Sequence, residues 1–394
     1  MNCLEKDNIP AGYKDSAVGI IPQEWEVKTL SECFHISAGR DLQKEFYSHQ
    51  RIDNYIYPIF SNSLEDRGLY GYTSKPRHKA GCITITGRGM LGVAEYRETD
   101  FDAIVRLLVL RPKFEVKGKL IAEYINHKKP FYFESTGVPQ LTAPQIANTS
   151  IPVPPIEEQR KIAEILGVWD EAIEKQSRLV ERLEVRKRAL MQCLLSGRTR
   201  LPGFTTPWQK VKLGEIFKER NETKCEHLPL LSITADRGVI LQSESDKKDT
   251  SNDDKSKYKR IGPNDIGYNT MRMWQGRSAL SAMEGIVSPA YTIVTPKAEV
   301  DPLFISELIK QPRAVYDFWT HSQGLVGDTL NCKFHDFSQV KVAIPSLPEQ
   351  KAITAVLTAA DNEINIHRKK LDALRLQKRG LMQQLLTGKT RVKI

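Results

Sequence analysis

The side chains of this chain best suited to chemistry are cationic and amide groups placed in predicted loops. One set is Arg77, Lys79 and Arg88, among turns and short strand-like runs. The other is Asn269, Arg272, Trp274, Gln275 and Arg277, in the stretch IGYNTMRMWQGRSA. Guanidinium and ammonium groups pair with phosphate or guanine, and carboxamides pair with adenine. Each of these residues also has a second reading, as a solvated or structural residue. Trp274 reads as a core aromatic rather than an intercalating one.

Catalytic and metal-binding patterns are missing. Gly388-Lys389-Thr390 invites comparison with a phosphate-binding loop, but Gln383 stands where the first glycine is required. That segment also ends a predicted helix instead of following a strand. Cys332 and His335 are close, yet no second ligand pair accompanies them, so no metal site is expected. There is no Asn/Asp-Pro-Pro-Tyr motif and no paired-glycine S-adenosylmethionine loop. Gly87-Arg88-Gly89 reads as a turn that displays Arg88. No catalytic residue is assigned.

Composition narrows the partner. The 394 residues suffice for two or three domains. Hydrophobic residues make up 40% and charged residues 27%, the balance of a folded chain. A formal net charge of +10 favours a polyanion, nucleic acid first, over a merely basic soluble protein. The six cysteines contain no C-x-x-C and read as free thiols in a reducing compartment. No signal core opens the sequence, and no apolar run reaches the ~18–20 residues that span a bilayer. A cytoplasmic protein with no membrane partner is expected.

The elements that must hold these side chains are marked by a repeat. Residues 156–200 recur, without a gap, as residues 347–391. An offset of 191 positions separates Glu158 from Glu349 and Arg200 from Arg391. In both copies apolar residues follow a 4-then-3 spacing. The first copy has Ile162, Trp169, Gln176, Leu183 and Leu190 in one row, and Leu166, Ile173, Val180, Lys187 and Leu194 in the other. This is a coiled-coil seam. Its polar interruptions coincide, Gln176 with His367 and Lys187 with Lys378. They either fix the register or lie at the edge of the seam. Ser346-x-x-Glu349 matches a capping box, Pro155 and Pro348 suit helix starts, and Gly197 and Gly388 suit helix stops. Some forty residues at ~1.5 Å each give a helix of up to about 60 Å.

A unit precedes each helix. Trp25, Leu30 and Phe34 match Trp208, Leu213 and Phe217 at an offset of 183. Strands are predicted at Cys82–Thr86 and Ile104–Leu110, with strand and turn over Gly285–Pro296. Short helices are predicted at Leu120–His127 and Leu303–Gln311. Glycine-containing loops follow at Ser135–Gly137 and Ser322–Gly324, and Ser243–Arg260 reads as an exposed loop. The chain thus divides into a polar, loosely held segment (1–21), a first unit (22–151), a first long helix (152–202), a second unit (203–342) and a second long helix (343–394). The fold class is α+β: two similar mixed α/β units joined by two long helices. Antiparallel pairing of the helices returns the second to the first unit and creates a pseudo-twofold frame. Two unlike basic units on that frame suit a duplex contacted about one 34 Å turn apart.

Taken in this order, the sequence resembles the specificity (S) subunit of type I restriction–modification systems, over nearly its whole length. The resemblance rests on IPQEWEVKTL, on IPVPPIEEQRKIAEIL and VAIPSLPEQKAITAVL, on RKRALMQCLLSGRTR and QKRGLMQQLLTGKTR, and on IGYNTMRMWQGRSA and GIVSPAYTIV. It implies that 22–151 and 203–342 are target recognition domains, each reading half of a split site on double-stranded DNA. It implies that the helices form a spacer and bind two modification (M) subunits, which carry S-adenosylmethionine and methylate adenine. Two restriction (R) subunits would add ATP- and Mg-dependent translocation and cleavage. No cofactor and no catalysis are expected of this chain itself. The polar start, residues 1–17, departs from the family pattern. Recognition domains diverge, so the contact residues above come from side-chain chemistry alone. Two other classes remain for comparison: a self-sufficient methyltransferase or nuclease, against which the missing motifs count, and a coiled-coil scaffold joining two protein-binding modules.

Overall fold

Two helices of 39 residues, Ile156–Leu194 and Leu347–Leu385, stand where the repeat places them. The computed structural model describes residues 9–131, 139–234, 237–245, 251–324 and 330–393. Two compact units share these helices. Unit 1 holds Met1–Ser177 and Lys369–Ile394, and unit 2 holds Arg178–Arg368.

Unit 1 is built on a four-stranded antiparallel sheet: β1 (Phe34–Ala38), β2 (Ile83–Ile85), β3 (Ala94–Tyr96) and β4 (Leu108–Pro112), in the order β1-β4-β2-β3. The helix Gly118–Lys128 buries Leu120, Ile121 and Ile125 in the same core as Ile83, Ile85 and Leu110. Ile162 and Leu166 of the first long helix, and Met382 and Leu385 of the second, complete that core.

Two expectations are corrected here. Ile104–Leu110 is not one strand. Val105 and Arg106 turn the chain at φ +53° and +59°, and the strand begins at Leu108. Ile104 and Leu107 are buried on either side of that turn, so the stretch imitates an apolar strand. Residues 9–21 are not loosely held. Tyr13–Lys14 pairs with Ile21–Pro22, Ile21 enters the core, and the Tyr13 hydroxyl donates to the Gly388 carbonyl at 2.9 Å.

Unit 2 repeats the sheet with β5 (Phe217–Arg220), β6 (Ile266–Asn269), β7 (Ser278–Leu280) and β8 (Tyr291–Pro296), in the order β5-β8-β6-β7. Its core stacks Phe337 on Tyr268 and Phe318, with ring centroids 5.0 and 5.4 Å apart. The predicted helix at Leu303–Gln311 is Pro302–Leu308, capped by Asp301, which accepts from the Phe304 amide at 2.8 Å. A further helix, Pro312–His321, follows it. The predicted loop Ser243–Arg260 ends in a strand, since Lys259–Ile261 pairs with Gly285–Val287. The loop expected at Ser135–Gly137 lies outside the described residues.

Within each unit the two helix segments run antiparallel. In unit 2, Glu184 meets Arg368 at 2.5 Å, Lys187 meets Asp361 at 2.6 Å, and Arg200 meets Glu349 at 2.6 Å. In unit 1, Asp170 meets Lys378 at 2.7 Å and Glu158 meets Arg391 at 2.8 Å. Offset by 191, Lys187–Asp361 and Lys378–Asp170 are the same pair built twice. The lysine interruptions of the seam are therefore ion-pair positions. The Glu349 carboxylate, expected to cap its helix with Ser346, accepts from Arg200 instead. Each helix start is tied by a glutamine. Gln159 accepts from the Lys117 amide and donates to the Pro154 carbonyl, at 2.9 and 2.8 Å. Gln350 does the same with Asp301 and Pro345, at 2.8 and 2.9 Å.

Candidate nucleic-acid interface

The equal strand orders make one connection equivalent in both units. It joins the second and third strands in sequence: Thr86–Val93 between β2 and β3, and Thr270–Arg277 between β6 and β7. Both connections are tied back by the same kind of bond. Leu141 donates its amide to the Gly87 carbonyl at 2.9 Å, and Cys332 donates to the Thr270 carbonyl at 2.9 Å.

In unit 2 this connection edges a cleft of about 900 Å³. Asn269, Arg272, Gln275 and Arg277 line it, together with Arg237 and Lys310. Met273 is fully buried and pins the turn to the core. Gly276 closes the turn at φ +74°, its amide donating to the Met273 carbonyl at 2.8 Å. Arg272, Gln275 and Arg277 are thereby left exposed. Asn269 braces the connection, its carboxamide oxygen accepting from the Met271 amide at 3.0 Å. Burial raises the pKa of Tyr291, against the opposing influence of the nearby Asn269 side chain. Trp274 is half-buried and does not line the cleft. Its indole donates to the Met271 carbonyl at 2.9 Å, so it serves as a brace. The cleft thus offers guanidinium and carboxamide groups to a polyanion, while the Lys310 ammonium at its wall pairs with Glu307 at 3.3 Å.

The unit 1 candidates separate. Arg88 is exposed on the equivalent connection and has no ion-pair partner among the described residues. The Asn62 side chain caps that loop, accepting from the Gly87 amide at 2.8 Å. Arg77 instead pairs with buried Asp102 at 2.6 Å and donates to the Asp41 carbonyl at 3.3 Å. Lys79 is exposed but paired with Asp100 at 2.9 Å. That bond raises the lysine pKa, while Lys79 first and then the Ala80 amide lower that of Asp100.

Sequence reasoning missed Arg237 and Lys310. Each is remote in sequence from Asn269–Arg277, and strand pairing and helix packing bring them to the cleft. No local signal marks them. Among the described residues, no three His, Cys, Asp or Glu side chains are grouped to hold a metal, and no helix is long and apolar enough to cross a membrane.

A family model for the type I restriction modification DNA specificity domain matches residues 22–184 and 294–376, more than half of the chain. The chain belongs to the family of type I restriction–modification specificity subunits. It is 25% identical to a putative MjaX specificity subunit of Methanocaldococcus jannaschii, with 97% of each chain covered. It is 26% identical to the MjaVIII specificity subunit of the same organism, covering 95% of this chain and 94% of that one. In fold it is similar to the crystal structure of a type I S subunit from M. genitalium, with a TM-score of 0.59 at 16% identity and 94% and 96% of the two chains covered. A specificity subunit recognises DNA and is non-catalytic. The exposed basic connections described above are therefore candidates for a binding surface, not for an active site.

Proposed function

We propose that this specificity subunit reads a bipartite, asymmetric site on double-stranded DNA, one half with each unit. Residues 22–151 and 203–342 are the two target recognition domains. Residues 152–202 and 343–394 form an antiparallel coiled coil with pseudo-twofold symmetry, which sets the spacer between half-sites. The observation that carries this reading is the equivalent connection of the two units, which displays Arg88 in one and Arg272, Gln275 and Arg277 in the other. The surrounding sequences differ, so the two half-sites differ. The ion pairs and glutamine ties repeated at an offset of 191 support equivalent docking sites for two methyltransferase (M) subunits, with two restriction (R) subunits completing the complex. S-adenosylmethionine, ATP and Mg belong to those partners, and the complex works in the cytoplasm.

The test is to map methylated adenines in a cell carrying this chain with its M partner. Two fixed half-sites of unlike sequence, separated by a constant spacer, are expected. A single continuous or palindromic site would refute the reading.

A further inference from the structure

We propose that Met90 and Met271 are specificity-determining residues. Each makes an apolar contact with base edges in a DNA groove at the half-site of its own unit. The proposal deepens the two-headed reading above and rests on it.

Met90 is 64% exposed and Met271 is 50% exposed. They lie on the equivalent connections, Met90 two residues after Arg88 and Met271 directly before Arg272. Neither methionine anchors its loop. That role falls to Leu91, packed against the core of unit 1, and to fully buried Met273 in unit 2. The backbone under each exposed methionine is nevertheless fixed. The Met90 carbonyl accepts from the Thr86 hydroxyl at 2.5 Å, and that hydroxyl accepts from the Val93 amide at 2.9 Å. The Met271 carbonyl accepts from the Trp274 indole at 2.9 Å, and its amide donates to Asn269 at 3.0 Å. Gly89 leaves the tip of the unit 1 loop uncrowded, since nothing lies within 4 Å of its Cβ direction.

Two non-identical loops thus hold an apolar, unbranched side chain out in water within two residues of an exposed arginine. A single exposed methionine needs no explanation. An exposed methionine close in sequence to an exposed arginine on the same connection of both units does, although the two sit at different positions of their loops. The neighbouring arginine suits phosphate or guanine. The thioether is polarizable and adapts to an apolar surface. The apolar group available in the major groove is the 5-methyl of thymine.

The experiment uses the assembled methyltransferase, this chain with its M partner, on a library of sites randomised in each half. Adenine methylation is the readout. Met90→Ala should lower the preference for a thymine-containing pair at one or two positions of one half-site by about tenfold. The other half-site should stay intact. Met271→Ala should do the converse, and the Met→Leu variants should keep the wild-type preference. Uracil in place of thymine at the affected position should reproduce the loss in the wild type and add nothing in the alanine variant. Both side chains are exposed, so Tm should not move. Alanine variants with the wild-type profile would overturn the proposal, as would loss in both half-sites together or indifference to uracil. A wild-type complex with no sequence preference would overturn the two-headed reading, and this proposal with it.

Discussion

Gly197 and Gly388 end the two long helices with the same φ of +69°, but their neighbours differ. A Cβ on Gly197 would meet the Trp208 ring at 3.4 Å, an ordinary contact. A Cβ on Gly388 would meet Pro22 at 2.4 Å. Alanine in left-handed backbone costs about 1–2 kcal/mol at either site. Overpacking against the proline adds a further ~1–3 kcal/mol at Gly388. Urea unfolding should therefore rank Gly388→Ala as clearly more destabilising than Gly197→Ala, and equal effects would show that residues 9–22 do not close on this helix end. Both glycine stops were legible in the sequence, because a helix end is a local matter of φ. The unequal crowding was not, because Pro22 lies at the other end of the chain.

The lysines that interrupt the helical seam differ in the same way. Lys378 is 13% exposed and bonds both Asp170 and Glu123 at 2.7 Å. Lys187 is 24% exposed and bonds Asp361. Removing one member of a buried ionic group leaves the rest uncompensated, at roughly 3–5 kcal/mol. This group is only partly buried, and Asp170 keeps Lys119 at 3.2 Å, so Lys378→Met should cost less than that full loss, and Lys187→Met less again. Burial lowers the Lys378 pKa, but the bonds to Asp170 and Glu123 outweigh it and leave the value raised above 10.5. A raised folded value means the contribution is complete below pH 10.5 and fades as pH rises through the folded pKa. The stability gap between wild type and Lys378→Met should thus narrow in alkali, and a gap that widens there would refute this ion pairing. The heptad made these lysines visible as anomalies. Only the folded units supply the aspartates that account for them.

For the whole molecule, unlike loops on equal sheets predict modular recognition. Replacing residues 22–151 with the corresponding unit of another specificity subunit should change one half-site and the spacer-proximal bases of that half only, as read by methylation mapping. Loss of both half-sites together would contradict modularity. The two long helices, their stops and the repetition of the units were legible locally, since 4-then-3 spacing, glycines at the helix ends and a gapless repeat are written in neighbouring residues. The local pattern also placed Arg272, Gln275 and Arg277 in a loop with suitable chemistry, whereas Asn269, read as a loop residue, ends strand β6. Which cations are held by carboxylates depends on contacts between distant segments. Arg77 and Lys79 are held by Asp102 and Asp100, whereas Arg88 shares its place in the sheet with Arg272. Arg237 and Lys310 reach the cleft wall only because strands and helices far apart in sequence pack together, and Lys310 is itself paired with Glu307 at 3.3 Å. Periodicity reports which face of an element is apolar, while the company a polar side chain keeps depends on contacts that close over tens to hundreds of residues.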